Sequence, residues 1–229
     1  MVNNAIAIIP ARGGSKRIPN KNIIDFFGKP LITWTIEAAL KTNIFKNVFV
    51  DTDSEEIAEV ALKYGAQVPF LRDNFNDDFS TVSQSSAYFL SRLNFKEIDF
   101  VVQLMANCPL RTSETIKLSY NKFLNSDNTD FQISCFKFGW MNPWWALRLT
   151  EDNKGIPIFE NTNKRSQDLE NLYCPTGAIW MAKSSSLLKY KNFYAGNVAY
   201  FEISWEEAID IDNYDDLKMA KVLFKINEK

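Results

Sequence analysis

The chain reads as an α/β protein with a mainly parallel sheet covered by helices on both faces. Three observations predict this. Short apolar runs alternate with amphipathic helical segments through the first 125 residues. The first run, Ile6-Ala7-Ile8-Ile9, has no polar alternation, as expected of a buried parallel strand. It breaks into a glycine turn, as strands of such sheets do where ligands bind.

That turn is the most informative stretch. Pro10-Ala11-Arg12-Gly13-Gly14-Ser15-Lys16-Arg17-Ile18-Pro19-Asn20-Lys21-Asn22 holds four cations, and no acid follows until Asp25. Gly13 and Gly14 let backbone amides approach a ligand closely. Cations around such a turn suit a polyphosphate. The spacing is neither a Walker A loop nor a G-x-G-x-x-G turn.

The later elements follow in order. Gly28-Lys29-Pro30 marks a turn, and Leu31 to Leu40 reads as a helix with Ile32, Ile36, Ala39 and Leu40 on one face. Val48-Phe49-Val50 is a strand ending in Asp51-Thr52-Asp53. Ser54 caps a helix that buries Ile57, Val60, Ala61 and Tyr64 and stops at Gly65. Gln67 to Phe70 reads as a short strand, residues 81–93 as a helix, and Phe100 to Met105 as a buried strand. Thr112 or Ser113 caps a helix to about Asn125. The loops 10–22, 51–53 and 106–111 should therefore share one site.

The pattern changes after the strand Phe131 to Phe136. Gly139 to Trp145 holds three of the six tryptophans, and 145–182 read as short β segments and loops. We expect one domain over 1–229 with an inserted β-rich subregion at about 137–182. The tryptophans favour an interface over ligand stacking. Ala208 to Asp212 reads as a strand with Asp210 and Asp212 on one side, followed by a helix capped by Asn213.

Composition narrows the function. The 229 residues carry 26 basic and 28 acidic side chains, a formal charge of −2, which does not suggest general nucleic-acid binding. There is no histidine, which excludes His-based triads and His-ligated zinc. Cys108, Cys135 and Cys174 form no C-x-x-C pair and read as reduced, packed thiols. No apolar run or leader pattern suggests a membrane or secretion, and a cytoplasmic protein is expected. Two acids on one strand face repel unless a cation sits between them. Asp210 and Asp212 therefore suit Mg²⁺ shared with substrate phosphates, and nucleotidyl transfer is the implied reaction.

Ile8-Ile9-Pro10-Ala11-Arg12-Gly13-Gly14-Ser15-Lys16 with Lys21-Asn22 closely resembles the signature of the acylneuraminate cytidylyltransferases, the CMP-sialic acid synthetases. The resemblance extends to Val50-Asp51-Thr52-Asp53, Cys108-Pro109-Leu110-Arg111, Thr176-Gly177-Ala178-Ile179 and Ile209-Asp210-Ile211-Asp212. It implies a Rossmann-like fold of the nucleotide-diphospho-sugar transferase type with a dimerisation arm. It also implies a Mg²⁺-dependent homodimer that joins CTP to a nine-carbon 2-keto sugar acid, giving CMP-sugar and pyrophosphate. Arg12, Gly13, Gly14, Ser15, Lys16, Lys21 and Asn22 would bind CTP, with Arg72 and Ser83 near the nucleotide. Arg12, Lys21 and Asp210 would carry catalysis, and Asp210 and Asp212 the metal. Arg165, with Gln167 beside it, would contact the sugar acid in its own or a partner's site, where a guanidinium suits a carboxylate. Phe193 would pack on the sugar's acyl group.

The resemblance has departures. The family's glutamine falls on Met105, with Gln103 and Asn107 as possible substitutes, its tyrosine is Trp180, and its sugar-binding lysine falls near Trp145. The nucleotide half is kept while the sugar half is less polar, as a deoxygenated legionaminic- or pseudaminic-type acid would require. The competing readings are a related transferase acting on Kdo or another acceptor, and a non-catalytic nucleotide-binding protein.

Overall fold

The structure, a computed structural model, describes residues 4–77, 79–93, 97–160 and 164–227. Its centre is a six-stranded sheet. The first strand, β1 (Ala5–Pro10), is buried along its whole length. A tight hairpin follows, β2 (Asp25–Phe26) and β3 (Lys29–Pro30), turned by Phe27 and Gly28 at φ 52° and 80°. Two positive φ angles in succession fit a twisted two-residue hairpin. Next come α1 (Leu31–Lys41), β4 (Asn47–Asp51), α2 (Glu55–Lys63), α3 (Val82–Arg92), β5 (Phe100–Gln103) and α4 (Ser113–Leu124). The caps are as the sequence requires. Ser54 accepts from Ile57 N–H, Thr112 accepts from Thr115 N–H, and Thr81 forms a capping box with Gln84.

The second half adds β6 (Phe131–Lys137), β7 (Leu147–Leu149), β8 (Gly155–Pro157), β9 (Tyr173–Lys183), α5 (Ser184–Tyr190), β10 (Val198–Glu202) and α6 (Tyr214–Asn227). The strand order is β10-β6-β9-β5-β1-β4. All neighbours are parallel except β9, which runs antiparallel to both β5 and β6. Helices cover both faces. Ala5, Ala7 and Ile9 of β1 join α1, α2 and α4 on one side, and Ile6 and Ile8 join α3 and α5 on the other. This two-residue alternation inside an apolar strand is what a doubly covered sheet demands. Among the described residues no helix is long and apolar enough to cross a membrane.

Three expectations are corrected. Gln67 to Phe70 is not a strand. Gln67 makes a single parallel bridge to Phe49, and Pro69 has no N–H to continue a ladder. The expected insertion ends too late. Residues 138–160 and 164–172 form the excursion from the sheet, carrying the β7–β8 hairpin, and 161–163 lie outside the described residues. Tyr173–Lys183 is instead the long strand between β5 and β6, bulged near Ile133 and Cys135. Its central position cannot be read from local pattern because an antiparallel partner can come from anywhere in the chain.

Ala208 to Asp212 is also not a strand. It is an irregular turn in which Ile211 N–H donates to Asn107 O at 3.0 Å. Ile209 and Ile211 still pack inward, toward Ile18, Phe26 and Leu31, so the two acids fall on the opposite side. An aromatic cluster of Phe26, Phe27, Trp34 and Phe224 seats α6 on the β2–β3 hairpin. That packing brings the C-terminal acids to the N-terminal loop.

Candidate functional site

The loop after β1 is shaped by its own hydrogen bonds and by the end of β4. Ala11 N–H donates to Asp51 O at 2.9 Å, and Gly13 N–H donates to the Asp53 carboxylate at 2.8 Å. A Cβ at Gly13 would lie 3.1 Å from Ser54 Cβ, so a side chain there would crowd β4's end. Asn22 is buried and donates from Nδ2 to Arg12 O at 3.0 Å, which ties the two ends of the loop together.

This loop forms one wall of a cleft of about 530 Å³. Arg12, Ser15, Lys16, Lys21 and Asn22 line it, joined by Arg72, Met105 and Asn107. Asp210 and Asp212 close one end. Lys21 Nζ reaches Asp212 Oδ1 at 2.8 Å, and Arg17 Nη2 reaches Asp212 Oδ2 at 2.7 Å. Asn107 donates through Nδ2 to Asp210 and to Ile211 O, the latter at 3.1 Å. The two carboxylates have different environments. Burial, reinforced by the negative charge of Asp212, pushes the Asp210 carboxyl up to about 6. Burial also works upward on Asp212, but the hydrogen bond and charge of Lys21 and the charge of Arg17 outweigh it and hold Asp212 below the usual carboxylate range.

A second cavity of about 830 Å³ adjoins the first and shares Phe75, Thr81 and Val82 with it. Its wall is aromatic, with Trp180, Tyr88, Tyr190 and Tyr194, and Ser83 also faces it. Trp180 is satisfied by donating from Nε1 to Thr176 O at 2.8 Å.

Several expected site residues stand elsewhere. Gln103 is fully buried and accepts from the Ser86 hydroxyl at 2.8 Å, so it supports the sheet and lines neither cavity. Phe193 is fully buried against Phe131 and Trp180, so its ring backs Trp180 instead of meeting a ligand. Arg165 and Gln167 are exposed on the excursion and line neither cavity, and Arg165 pairs with Asp168 at 2.8 Å. Arg111 is buried too, donating to Ala178 O and to Thr35 Oγ1 at 2.9 Å, a brace for the 106–111 loop. Gly14 has open space around its Cα, so the sequence's paired glycines have unequal duties.

The structure adds residues that sequence reasoning missed. Phe75, Asp77, Ser80 and Ser85 line the cleft. Ser85 shares a helix face with Val82, another residue of the cleft wall, and neither carries a local signature. The 75–80 loop has no local signature.

A mainly parallel α/β sheet with a cation-rich glycine loop facing two carboxylates beyond its strand ends is the arrangement of a nucleotidyltransferase. Comparison with known proteins gives the family. A cytidylyltransferase family model matches residues 6–212. The pseudaminic acid cytidylyltransferase of Campylobacter jejuni subsp. jejuni serotype O:2 is 40% identical over 98% of this chain and 97% of its own length. The CMP-N,N'-diacetyllegionaminic acid synthase of Legionella pneumophila is 32% identical over 98% of this chain and 97% of its own length. Among solved structures, a CMP:2-keto-3-deoxy-manno-octonic acid synthetase complexed with CTP superposes with a TM-score of 0.75 at 17% identity, over 98% of this chain and 100% of that one. The chain belongs to the cytidylyltransferase family, with the CMP-nonulosonate synthetases.

Proposed function

We propose that this protein activates a pseudaminic-type nonulosonic acid by joining it to CMP at the expense of CTP. The observation that carries the reaction is the opposition of the basic loop and the Asp210–Asp212 pair across one cleft. The choice of sugar rests on the full-length likeness to the Campylobacter jejuni enzyme and on the apolar, aromatic second cavity.

In this reading Arg12, Ser15, Lys16 and Lys21 hold the triphosphate, and Asn22 keeps the loop closed under it. The sugar acid lies toward Met105, Trp180 and the second cavity. Its anomeric oxygen forms a bond to the α-phosphorus and loses its proton, while the bond from that phosphorus to the β-bridging oxygen breaks and pyrophosphate leaves. Lys21, Arg12 and Lys16 stabilise the charge gathering on the phosphoryl oxygens, and the cleft fixes the two reactants in line.

The donor set fits a hard divalent cation. Asp210 and Asp212 offer only oxygen, and Asn107 Oδ1 beside them is buried with no hydrogen-bond partner. Among the described residues no group of three or more His, Cys, Asp or Glu side chains could hold a metal. The remaining ligands would be phosphate oxygens and water, as is usual for Mg²⁺. Bound there, Mg²⁺ supplies charge neutralisation at the phosphates.

A second copy of the chain is the expected partner. Trp140, Leu149, Ile156 and Ile158 are each exposed on the 138–172 excursion, with Leu149 and Ile156 on opposite faces of the β7–β8 hairpin. Leu149→Glu should convert a dimer to a monomer in sedimentation equilibrium, and a monomeric wild type would reject the assignment.

The direct test is pyrophosphate release with CTP and Mg²⁺ against pseudaminic, legionaminic, sialic and Kdo acids. The pseudaminic acid should give the highest kcat/KM. Preference for sialic acid or Kdo would overturn the choice of sugar, and CTP binding without turnover on any acid would favour the non-catalytic reading.

A further inference from the structure

The C-terminal end of β4 holds a carboxylate behind the cleft wall. Asp51 is 1% exposed. Its Oδ2 accepts from Arg72 Nη1 at 3.0 Å and from the Ser85 hydroxyl at 3.2 Å. Arg72 itself is buried, yet it lines the cleft. The next residue of the same strand end, Thr52, accepts from Arg72 N–H at 2.7 Å. Two consecutive residues therefore fix both the main chain and the guanidinium of Arg72.

The pair is not self-contained. Arg72 Nε and Asp51 Oδ1 are buried without hydrogen-bond partners. A buried ion pair is a poor source of net stability, and its unsatisfied polar atoms make it poorer. Only Nη1 of the guanidinium is given to Asp51, so a cleft-lining Arg72 keeps Nη2 for a ligand acceptor. Its fork has value only if its plane is set before the ligand arrives, because ordering a long side chain on binding weakens affinity.

We propose that Asp51 is a positioning residue for nucleotide binding, holding the Arg72 guanidinium at the cleft wall so that its free edge meets an oxygen of the base or ribose. Ser85 holds Asp51 in turn. The proposal rests on the reading of this cleft as the CTP site. It gives the strand end two duties, since Asp53, two residues on, holds Gly13 of the phosphate loop.

Asp51→Asn keeps the shape and removes the charge. It should raise KM for CTP about tenfold while kcat at saturating CTP and KM for the sugar acid stay within about twofold. Ser85→Ala takes one hydrogen bond from Asp51 and should raise KM for CTP about threefold with kcat unchanged, a second readout should Asp51→Asn be too unstable to assay. In the neutral pair Asp51→Asn/Arg72→Met the melting temperature should recover while KM for CTP remains high. If Arg72→Met raises KM for CTP but Asp51→Asn and Ser85→Ala do not, Asp51 has no positioning role. The same conclusion follows if Asp51→Asn only lowers the melting temperature and the active fraction. If Arg72→Met itself leaves KM for CTP unchanged, the placement of the nucleotide at Arg72 is what fails, and the proposal with it.

Discussion

Lys21 Nζ lies 2.8 Å from Asp212 Oδ1, joining the loop after the first strand to a turn 191 residues later. The contact brings a cation of the cleft loop and one of the two cleft carboxylates to one point. With a nucleotide bound, Lys21 has the triphosphate as a competing anion, and its charge matters most where negative charge develops.

Lys21→Met should therefore lower kcat/KM for CTP by about 10²–10³-fold. The fold should persist, because Arg17 remains on Asp212. Pyrophosphate release and a thermal melt on the same sample check both halves. Loss of activity with a matching collapse of the melt would make Lys21 a structural residue instead.

Asp210→Asn should abolish turnover and raise stability together. Asp210 is enclosed beside Asp212, and its carboxyl sits at about 6, above the ordinary value of 3.8. A carboxyl raised in the fold contributes stability below its unfolded pKa, and that contribution is lost as pH rises through about 6. At neutral pH and above the ionised group is a cost that asparagine does not carry. The gain should be on the order of 1–3 kcal/mol in denaturant unfolding at pH 8 without metal. A destabilised Asp210→Asn would show that the carboxylate anchors the turn.

Asp51 supplies a pH signature for the proposed nucleotide contact through Arg72. Burial raises its carboxyl to about 6, with Arg72 and Ser85 pulling the other way. As pH falls through about 6, Asp51 takes up a proton and its hold on Arg72 loosens, so metal-free CTP affinity should fall. Stability moves oppositely, since the raised pKa favours the folded state at low pH and that advantage is lost as pH rises through about 6. Fluorescence titrations between about pH 5 and 8 should show both trends in the wild type. Asp51→Asn should flatten the part due to this group, and an unchanged profile would assign the titration elsewhere.

Gly177→Ala tests the floor of the cleft. A Cβ there would stand 2.9 Å from Met105 Cγ, and Met105 lines the cleft. The methionine must move, and the cleft it lines gives it room to do so. We expect a loss of about 1–3 kcal/mol in stability with a raised KM for the sugar acid, both relieved by Met105→Ala in the double variant. Additive effects in the double variant would mean that the two residues do not meet.

The sequence made much of the first half legible. Ile6 to Ile9 announced a doubly buried strand, Ser54 and Thr112 announced their helices, and the cations of the 12–21 loop do line the cleft. These are local signals, carried by periodicity, capping and charge. The pairing of Asp210 with Asp212 was found through a strand that does not exist. The alternation survived because Ile209 and Ile211 need the core, not because a ladder forms.

Two of the misplaced residues share a cause. Gln103 and Phe193 carry the right chemistry for a site, but neighbours from distant segments bury them. Ser85 met no motif, Asp51 lay in one that assigned it no role, and what the two residues do depends on where α3 packs against β4. The sequence by itself determined most strands and helices of the first half, and which loop brings cations to the cleft, because those properties depend on residues within a few positions. Only the tertiary structure decided that β9 enters the middle of the sheet, that α6 folds back on the β2–β3 hairpin, and that Lys21 consequently meets Asp212. Those outcomes depend on burying distant apolar surfaces together, an energy that no local window of residues contains.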